Sequence, residues 1–187
     1  MNRTPQHLQD AKDLLSTDGF ATNGLWYHGT SSALLPSIQE QGLNRSGDIA
    51  INQAAKNTMT TIGNHYTELV EPVFLTQSKE LAYYWASQTV HKRHVRFEGE
   101  EEPIVIAINL PQPQREKIKP DVGAVSLLQM ESGERFMANL ATIYQNSGLE
   151  APDIDLRNTD RMDFLRLLGM AYINQDIHID CVQLVIA

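Results

Sequence analysis

One local pattern occurs twice in this chain of 187 residues: a short β-prone apolar run, a serine, and then a segment with helical spacing. In the first copy, Leu25-Trp-Tyr-His28 precedes Ser31-Ser32 and a helical segment over 33–41 that ends at Gly42. In the second, Pro72-Val-Phe-Leu-Thr76 precedes Ser78 and a helical segment over 79–90. Serine is favoured just before a helix, and glycine often follows one. The pattern predicts two strand–helix units.

The later segments add strands and helices without a regular repeat. The clearest strand covers 104–110, helices are predicted over 134–146 and 160–172, and a last strand is predicted over 177–186. Strands interrupted by helices and long loops, without regular βαβ spacing, predict an α+β fold around a mainly antiparallel sheet with flanking helices.

The N-terminal segment is predicted to be helical. Leu8, Ala11, Leu14 and Leu15 are spaced as on one face of a helix over 6–16, and glycines follow at 19 and 24. We therefore expect one domain over 1–187, with 1–24 as a helical extension, because a chain of this length suffices for a single core.

The segment 44–71 is predicted to be an irregular loop. It is rich in Asn, Thr, Ser and Gly, with only a weak helical pattern around 51–57. Long polar loops in small domains are often functional, so we expect this one to cover a binding cleft.

Composition narrows the function classes. The formal net charge of −8 disfavours non-specific binding to nucleic acid or to an anionic membrane. The single cysteine, Cys181, excludes an intrachain disulfide and fits a reducing compartment, so a cytoplasmic location is expected, with signal-independent secretion left open. No apolar run is long enough to span a bilayer, and no metal site is expected, since the histidines show no convincing ligand pair.

Two segments carry a family resemblance. Leu25-Trp-Tyr-His-Gly-Thr30 with the helix that ends in Gly42-Leu43, followed by Val73-Phe-Leu-Thr76 and Ala82-Tyr-Tyr-Trp85, resembles the ADP-ribosyltransferase superfamily. The similarity is to its branch of diphtheria toxin and poly-ADP-ribose polymerases, and it covers about a third of the chain. It implies the split antiparallel sheet of that family and NAD as co-substrate.

The resemblance also implies roles for particular residues. His28 would orient a ribose of NAD, Gly29 would approach the nicotinamide carboxamide, and Thr30 and Ser31 belong to the same signature. Tyr84 takes the place of the helix tyrosine that stacks on nicotinamide, with the adjacent Tyr83 as the alternative. These roles suit the chemistry, because breaking the nicotinamide–ribose bond creates an oxocarbenium-like transition state that must be oriented and stabilised.

Three further positions complete the predicted site. Phe74 is expected as the second aromatic beside nicotinamide, and Arg45 is a candidate ligand for the pyrophosphate or the adenosine of NAD. The family places a glutamate on a late strand. Here that position falls on Asp180 or, in an alternative register, on Gln183. We therefore expect His28, Tyr84 and Asp180 to be the catalytic residues.

The leading expectation is a mono-ADP-ribosyltransferase, because polymer formation normally requires the glutamate that this chain lacks. The acceptor of ADP-ribose stays open among a protein, a nucleic acid and a small molecule, as does a toxin, effector or housekeeping role. Two alternatives remain: an NAD-dependent RNA 2′-phosphotransferase, which the non-basic stretch at 75–78 disfavours, and a non-catalytic module that binds NAD or ADP-ribosylated partners.

Overall fold

The computed structural model describes residues 4–61, 70–155 and 158–187. Within these ranges the chain forms short strands and helices that alternate irregularly. The strands are Leu15–Ser16 (β1), Gly19–Phe20 (β2), Leu25–Ser31 (β3), Val73–Leu75 (β4), Pro103–Asn109 (β5), Lys119–Pro120 (β6), Ala171–Ile173 (β7) and Val182–Leu184 (β8). The α-helices are Leu35–Gln41 (α1), Ile49–Thr61 (α2), Lys79–His94 (α3), Gln112–Arg115 (α4), Val125–Leu128 (α5), Glu131–Asn146 (α6) and Asp163–Arg166 (α7).

The strands form two antiparallel three-stranded sheets and one small hairpin. The first sheet has the order β3-β5-β8, the second has the order β4-β7-β6, and β1 pairs with β2. All pairs are antiparallel. The predicted α+β class with a mainly antiparallel sheet is therefore confirmed.

Two apolar clusters hold these layers together. One lies between the two sheets and includes Trp26, Ile106 and Ile173. The other joins α3 to α6 and to the β1–β2 hairpin through residues such as Leu81 and Phe136. The 16-residue helix α3 thus packs on the first sheet with one side and on α6 with another.

The predicted N-terminal helix over 6–16 is wrong. The chain forms a 3-10 turn at Gln6–Leu8 and then the β1–β2 hairpin. The apolar residues that suggested one helical face go to different places: Leu8 packs beside β5 and α3, whereas Leu14 and Leu15 join the cluster around α6. A single straight helix could not place Leu8 in one of these clusters and Leu14 and Leu15 in the other.

Two other sequence predictions need correction. Much of the predicted loop at 44–71 is helix α2, and its portion at 62–69 lies outside the described residues. The helix predicted over 160–172 shortens to the single turn α7, because Gly169 adopts a φ of 64° and the chain then joins the second sheet as β7. Within the described ranges, no helix combines the length and apolar character needed to cross a membrane.

Candidate functional site

The two sheets meet at one point and then separate. Tyr27 on β3 and Thr76 just after β4 exchange two backbone hydrogen bonds, of 2.8 and 3.0 Å. This is an isolated antiparallel bridge. Continued pairing would place Gly29 opposite Phe74, but the described residues show no ladder there. A cleft opens where the ladder stops.

His28 stands at the point of separation. Its Nδ1 lies 2.9 Å from the backbone carbonyl oxygen of Phe74. A carbonyl oxygen only accepts, so Nδ1 carries the proton and, in the neutral ring, Nε2 is left as an acceptor. Burial lowers the pKa of His28, and the hydrogen bond to Phe74 opposes that shift only in part. At neutral pH the ring is therefore uncharged, with a lone pair available at Nε2.

Gly29 presents its backbone to the cleft. In an antiparallel strand the N–H and C=O of alternate residues point to the same side, so those of Gly29 point as those of Tyr27 do, towards β4. Among the described residues they find no backbone partner on that side. The other face of Gly29 lies against α3, where an added Cβ would sit 1.7 Å from the carbonyl oxygen of Ala82. Close packing on α3 therefore requires glycine at this position, whether or not a ligand binds in the cleft.

The cleft has a volume of roughly 320 Å³. Its lining includes His28, Gly29 and Thr30 from β3, Arg45 and Asp48 from the segment before α2, and Phe74 from β4. Five of the predicted NAD-binding residues therefore meet around one space: His28, Gly29, Thr30, Arg45 and Phe74.

Phe74 provides the aromatic surface of this cleft. Its side chain is 44% exposed, although its strand neighbours Val73 and Leu75 are buried in the core. An exposed phenyl ring on the lining of the cleft offers an apolar face on which a flat ring can stack.

Arg45 is held to the cleft wall by acidic and amide partners. Its backbone N–H donates to Asp176 Oδ1 at 2.8 Å, and its Nε lies 3.4 Å from the same oxygen. Its Nη1 lies 3.5 Å from Asn174 Oδ1. The pair with Asp176 is exposed to solvent, so an anionic ligand can compete for the guanidinium.

Ser31 does not reach the cleft, because its hydroxyl belongs to a covered ion-pair network. That hydroxyl donates to Glu101 Oε2 at 2.5 Å and accepts from the N–H of Ala33. The Nε of Arg93 donates to the same Glu101 oxygen at 2.6 Å, and its Nη1 donates to Asp48. The hydrogen bond from Arg93 holds the pKa of Glu101 below its usual range. Burial, the next largest effect, acts to raise this pKa but does not cancel the lowering. The network ties β3, α3 and the cleft wall together.

The predicted stacking tyrosines lie outside this cleft. Tyr84 packs edge-on against Trp85 and Phe136, with ring centroids 5.1 and 5.9 Å apart, in the cluster between α3 and α6. Burial raises the pKa of Tyr84. Tyr83 packs near Leu8 and Val105 on the side of the first sheet that α3 covers. Neither ring is among the residues that line the cleft.

The predicted third position also lies elsewhere. Asp180 belongs to a 3-10 turn before β8, its side chain is 86% exposed, and its carboxylate lies 3.2 Å from Nδ1 of His178. Gln183 pairs with Ala107, which itself pairs with Tyr27, whereas His28 shares its row with Ile106 and Leu184. Residues opposite each other share a face. Gln183 therefore points away from the face that carries the His28 side chain.

Sequence reasoning missed three charged residues of the cleft lining: Asp48, Glu71 and Lys92. Asp48 begins α2, where its Oδ1 accepts from the N–H groups of Ala50 and Ile51, and an Asp before a helical pattern is a recognisable cap. Nothing local distinguishes Lys92, which reads as one residue of a charged run. Within the described ranges, no three His, Cys, Asp or Glu side chains come together as metal ligands would.

Comparisons with known proteins leave the chain without an assigned family: no protein-family model, curated protein or solved structure matches it.

Proposed function

We propose that this protein binds NAD in the cleft between the two sheets, cleaves the nicotinamide–ribose bond and transfers ADP-ribose to an acceptor. The observation that carries the proposal is the meeting of His28, the free backbone edge of Gly29 and the exposed ring of Phe74 where the sheets separate. The resemblance of the two sequence segments to ADP-ribosyltransferases supports the same proposal, and the antiparallel pairing of every strand is compatible with the split antiparallel sheet that this resemblance implies.

Each group suits one part of the ligand. The nicotinamide carboxamide has an NH2 group that donates and a carbonyl oxygen that accepts, which match the C=O and N–H of Gly29, groups without a backbone partner on that side among the described residues. The nicotinamide ring would stack on Phe74. The Nε2 lone pair of His28 would accept a hydrogen bond from a ribose hydroxyl, rather than donate one, because Nδ1 holds the proton.

The rest of the cleft suits the phosphates. Arg45 lies on the wall that leads to α2, and its exposed pair with Asp176 can yield to a pyrophosphate. The acceptor is a protein, a nucleic acid or a small molecule, and transfer of a single unit is favoured over polymer formation. The free thiol of Cys181 suits a cytoplasmic location.

A specific observation favours a second candidate, a non-catalytic module that binds NAD or ADP-ribosylated partners. Asp180 lies away from the cleft, and Gln183, which also lies away from it, is an uncharged amide, so neither offers the carboxylate that the family's reaction uses. The protein would then bind NAD without cleaving it, unless another carboxylate stabilises the transition state.

Release of nicotinamide from NAD tests the proposal directly. Purified protein is incubated with NAD, and free nicotinamide is measured by chromatography, together with NAD affinity by calorimetry. We expect slow release without an acceptor, and a fall of about 10²- to 10³-fold for His28→Ala, the range for loss of one preorganised polar contact. His91→Ala, on the exposed end of α3, is the matched control and should keep wild-type release. NAD binding without release would support the module, and absence of binding would refute both functions.

A further inference from the structure

The proposed reaction needs negative charge close to the ribose C1′. As the C1′–N bond of NAD breaks, its electron pair leaves with nicotinamide, and the ribose develops oxocarbenium character until the acceptor bonds to C1′ and loses its proton. A carboxylate in a partly desolvated cleft stabilises that charge. The late strand does not supply it, because Asp180 is not among the residues that line the cleft and Gln183 lies on the opposite face of the sheet.

Two carboxylates line the cleft among the described residues, Asp48 and Glu71. Asp48 is already engaged. One of its oxygens accepts from the first N–H groups of α2, and the other pairs with the Arg93 guanidinium. Its side chain is largely covered, and its negative charge is compensated by a cation within contact. The Asp48 carboxylate would therefore give little electrostatic stabilisation to a positive charge on a bound ribose.

Glu71 is in the opposite situation. It is exposed at the cleft and has neither a hydrogen bond nor an ion pair with any described residue. Its charge is thus free to act on a ligand, and closure of the cleft around a ligand would strengthen that action by removing water.

The chain geometry keeps Glu71 near the reacting groups. Glu71 lies three positions before Phe74 in the sequence, so their Cα atoms can be no more than about 11 Å apart. Phe74 is also the residue whose carbonyl fixes the His28 ring. A glutamate side chain that reaches in from the start of β4 can therefore approach a sugar held between His28 and Phe74.

We propose that Glu71 supplies the carboxylate that stabilises the developing positive charge at C1′ of NAD, in place of an acid on the last strand. This inference rests on the proposed function. Glu71 would act through its charge, and so the neutral isostere Glu71→Gln removes its action while it keeps the shape of the side chain.

The test compares Glu71→Gln with Asp180→Asn and with Glu40→Gln, a matched control on the exposed side of α1 outside the cleft. We expect Glu71→Gln to lower nicotinamide release about 100-fold or more while NAD affinity stays within a few-fold. Asp180→Asn and Glu40→Gln should each release nicotinamide at the wild-type rate. Because Glu71 is exposed, we expect all three variants to melt at the wild-type temperature.

The outcomes separate this inference from the proposed function. If wild type releases nicotinamide and Glu71→Gln does so equally fast, the inference is wrong and the proposed function stands. If Asp180→Asn alone loses release, the acid of the last strand acts after all and Glu71 does not. If wild type releases no nicotinamide, the proposed function fails, and the role of Glu71 fails with it.

Discussion

Arg93 pairs with Asp48 across 45 residues of sequence and so joins the last turn of α3 to the first turn of α2. The same guanidinium donates to Glu101 and lies 4.9 Å over the ring of Phe97. Since Asp48 also caps α2, one covered arginine positions the wall of the cleft that carries Arg45.

Arg93→Ala is expected to lower the free energy of unfolding by about 3–5 kcal/mol, because it leaves two covered carboxylates without their cation. The side chain of Arg93 is only 7% exposed. Denaturation by urea measures the change. Arg135→Ala removes an exposed pair with Glu131 and should cost less than about 0.5 kcal/mol. Similar small losses for both variants would show that the network contributes little to stability.

Gly29→Ala is expected to prevent stable folding. The new Cβ would lie 1.7 Å from the carbonyl oxygen of Ala82 in the first turn of α3, so helix and strand would have to separate. We expect the free energy of unfolding to fall by more than about 4 kcal/mol, which few single substitutions cause. At Gly123 a Cβ would meet only a side-chain oxygen of Asp121 at 3.2 Å, so Gly123→Ala is the matched control and should change stability by less than about 1 kcal/mol. Soluble expression and urea denaturation report both, and a stable Gly29→Ala protein would contradict the close packing.

Phe74 alone is expected to stack on nicotinamide, whereas Tyr84, to which the sequence assigns the main stacking role, is expected to act in the core. Tyr84→Ala removes a ring packed between Trp85 and Phe136 and should cost about 2–4 kcal/mol of stability. Phe74→Ala removes an exposed ring and should leave stability nearly unchanged. In calorimetry with NAD, Phe74→Ala should weaken binding by about 1–3 kcal/mol, the range for an aromatic stack on a base, whereas a folded Tyr84→Leu variant, which lacks the aromatic ring, should bind as wild type does. A loss of NAD affinity in folded Tyr84→Leu, with Phe74→Ala binding normally, would return the stacking role to that tyrosine.

The segments predicted correctly from sequence are those whose signals are local. β3, β5 and α3 each combine a continuous pattern with a clear boundary, and Ser78 caps α3 as predicted by accepting from the N–H of Leu81. The family resemblance of two short segments predicts that His28 and Phe74 share one site, and both residues line the cleft.

The errors come from contacts between distant parts of the chain. Ala171–Ile173 has helical spacing with the residues before it, but pairing of Tyr172 with Phe74 makes it a strand. The direction of Gln183 depends on its pairing with Ala107, which no local signal contains. The position of Asp10 at the start of α3 is likewise invisible in the sequence, since a gap of 68 residues separates it from Ser78.

Asp10 is expected to make stability depend on pH. Its Oδ1 accepts from the N–H of Lys79 at 2.7 Å, and its Oδ2 accepts from the hydroxyl of Ser78. Burial raises the pKa of Asp10 from 3.8 to about 6, despite the hydrogen bonds from Ser78 and Lys79, which act to lower it. Between these two values the folded chain binds a proton that the unfolded chain has lost. The free energy of unfolding should therefore fall as pH rises from about 4 to 6, by at most about 3 kcal/mol from this group.

Comparison with Asp10→Asn isolates this contribution, because the amide does not titrate. The lowered pKa of His28 makes stability rise with pH, but His28 is present in both proteins, so its effect cancels in the comparison. The stability of wild type minus that of Asp10→Asn, measured by urea denaturation, should decrease as pH rises through this window and stay constant above about pH 7. A difference that stays flat from pH 4 to pH 7, or that grows, would mean that Asp10 is charged in the folded protein throughout, and that the start of α3 compensates fully for its burial.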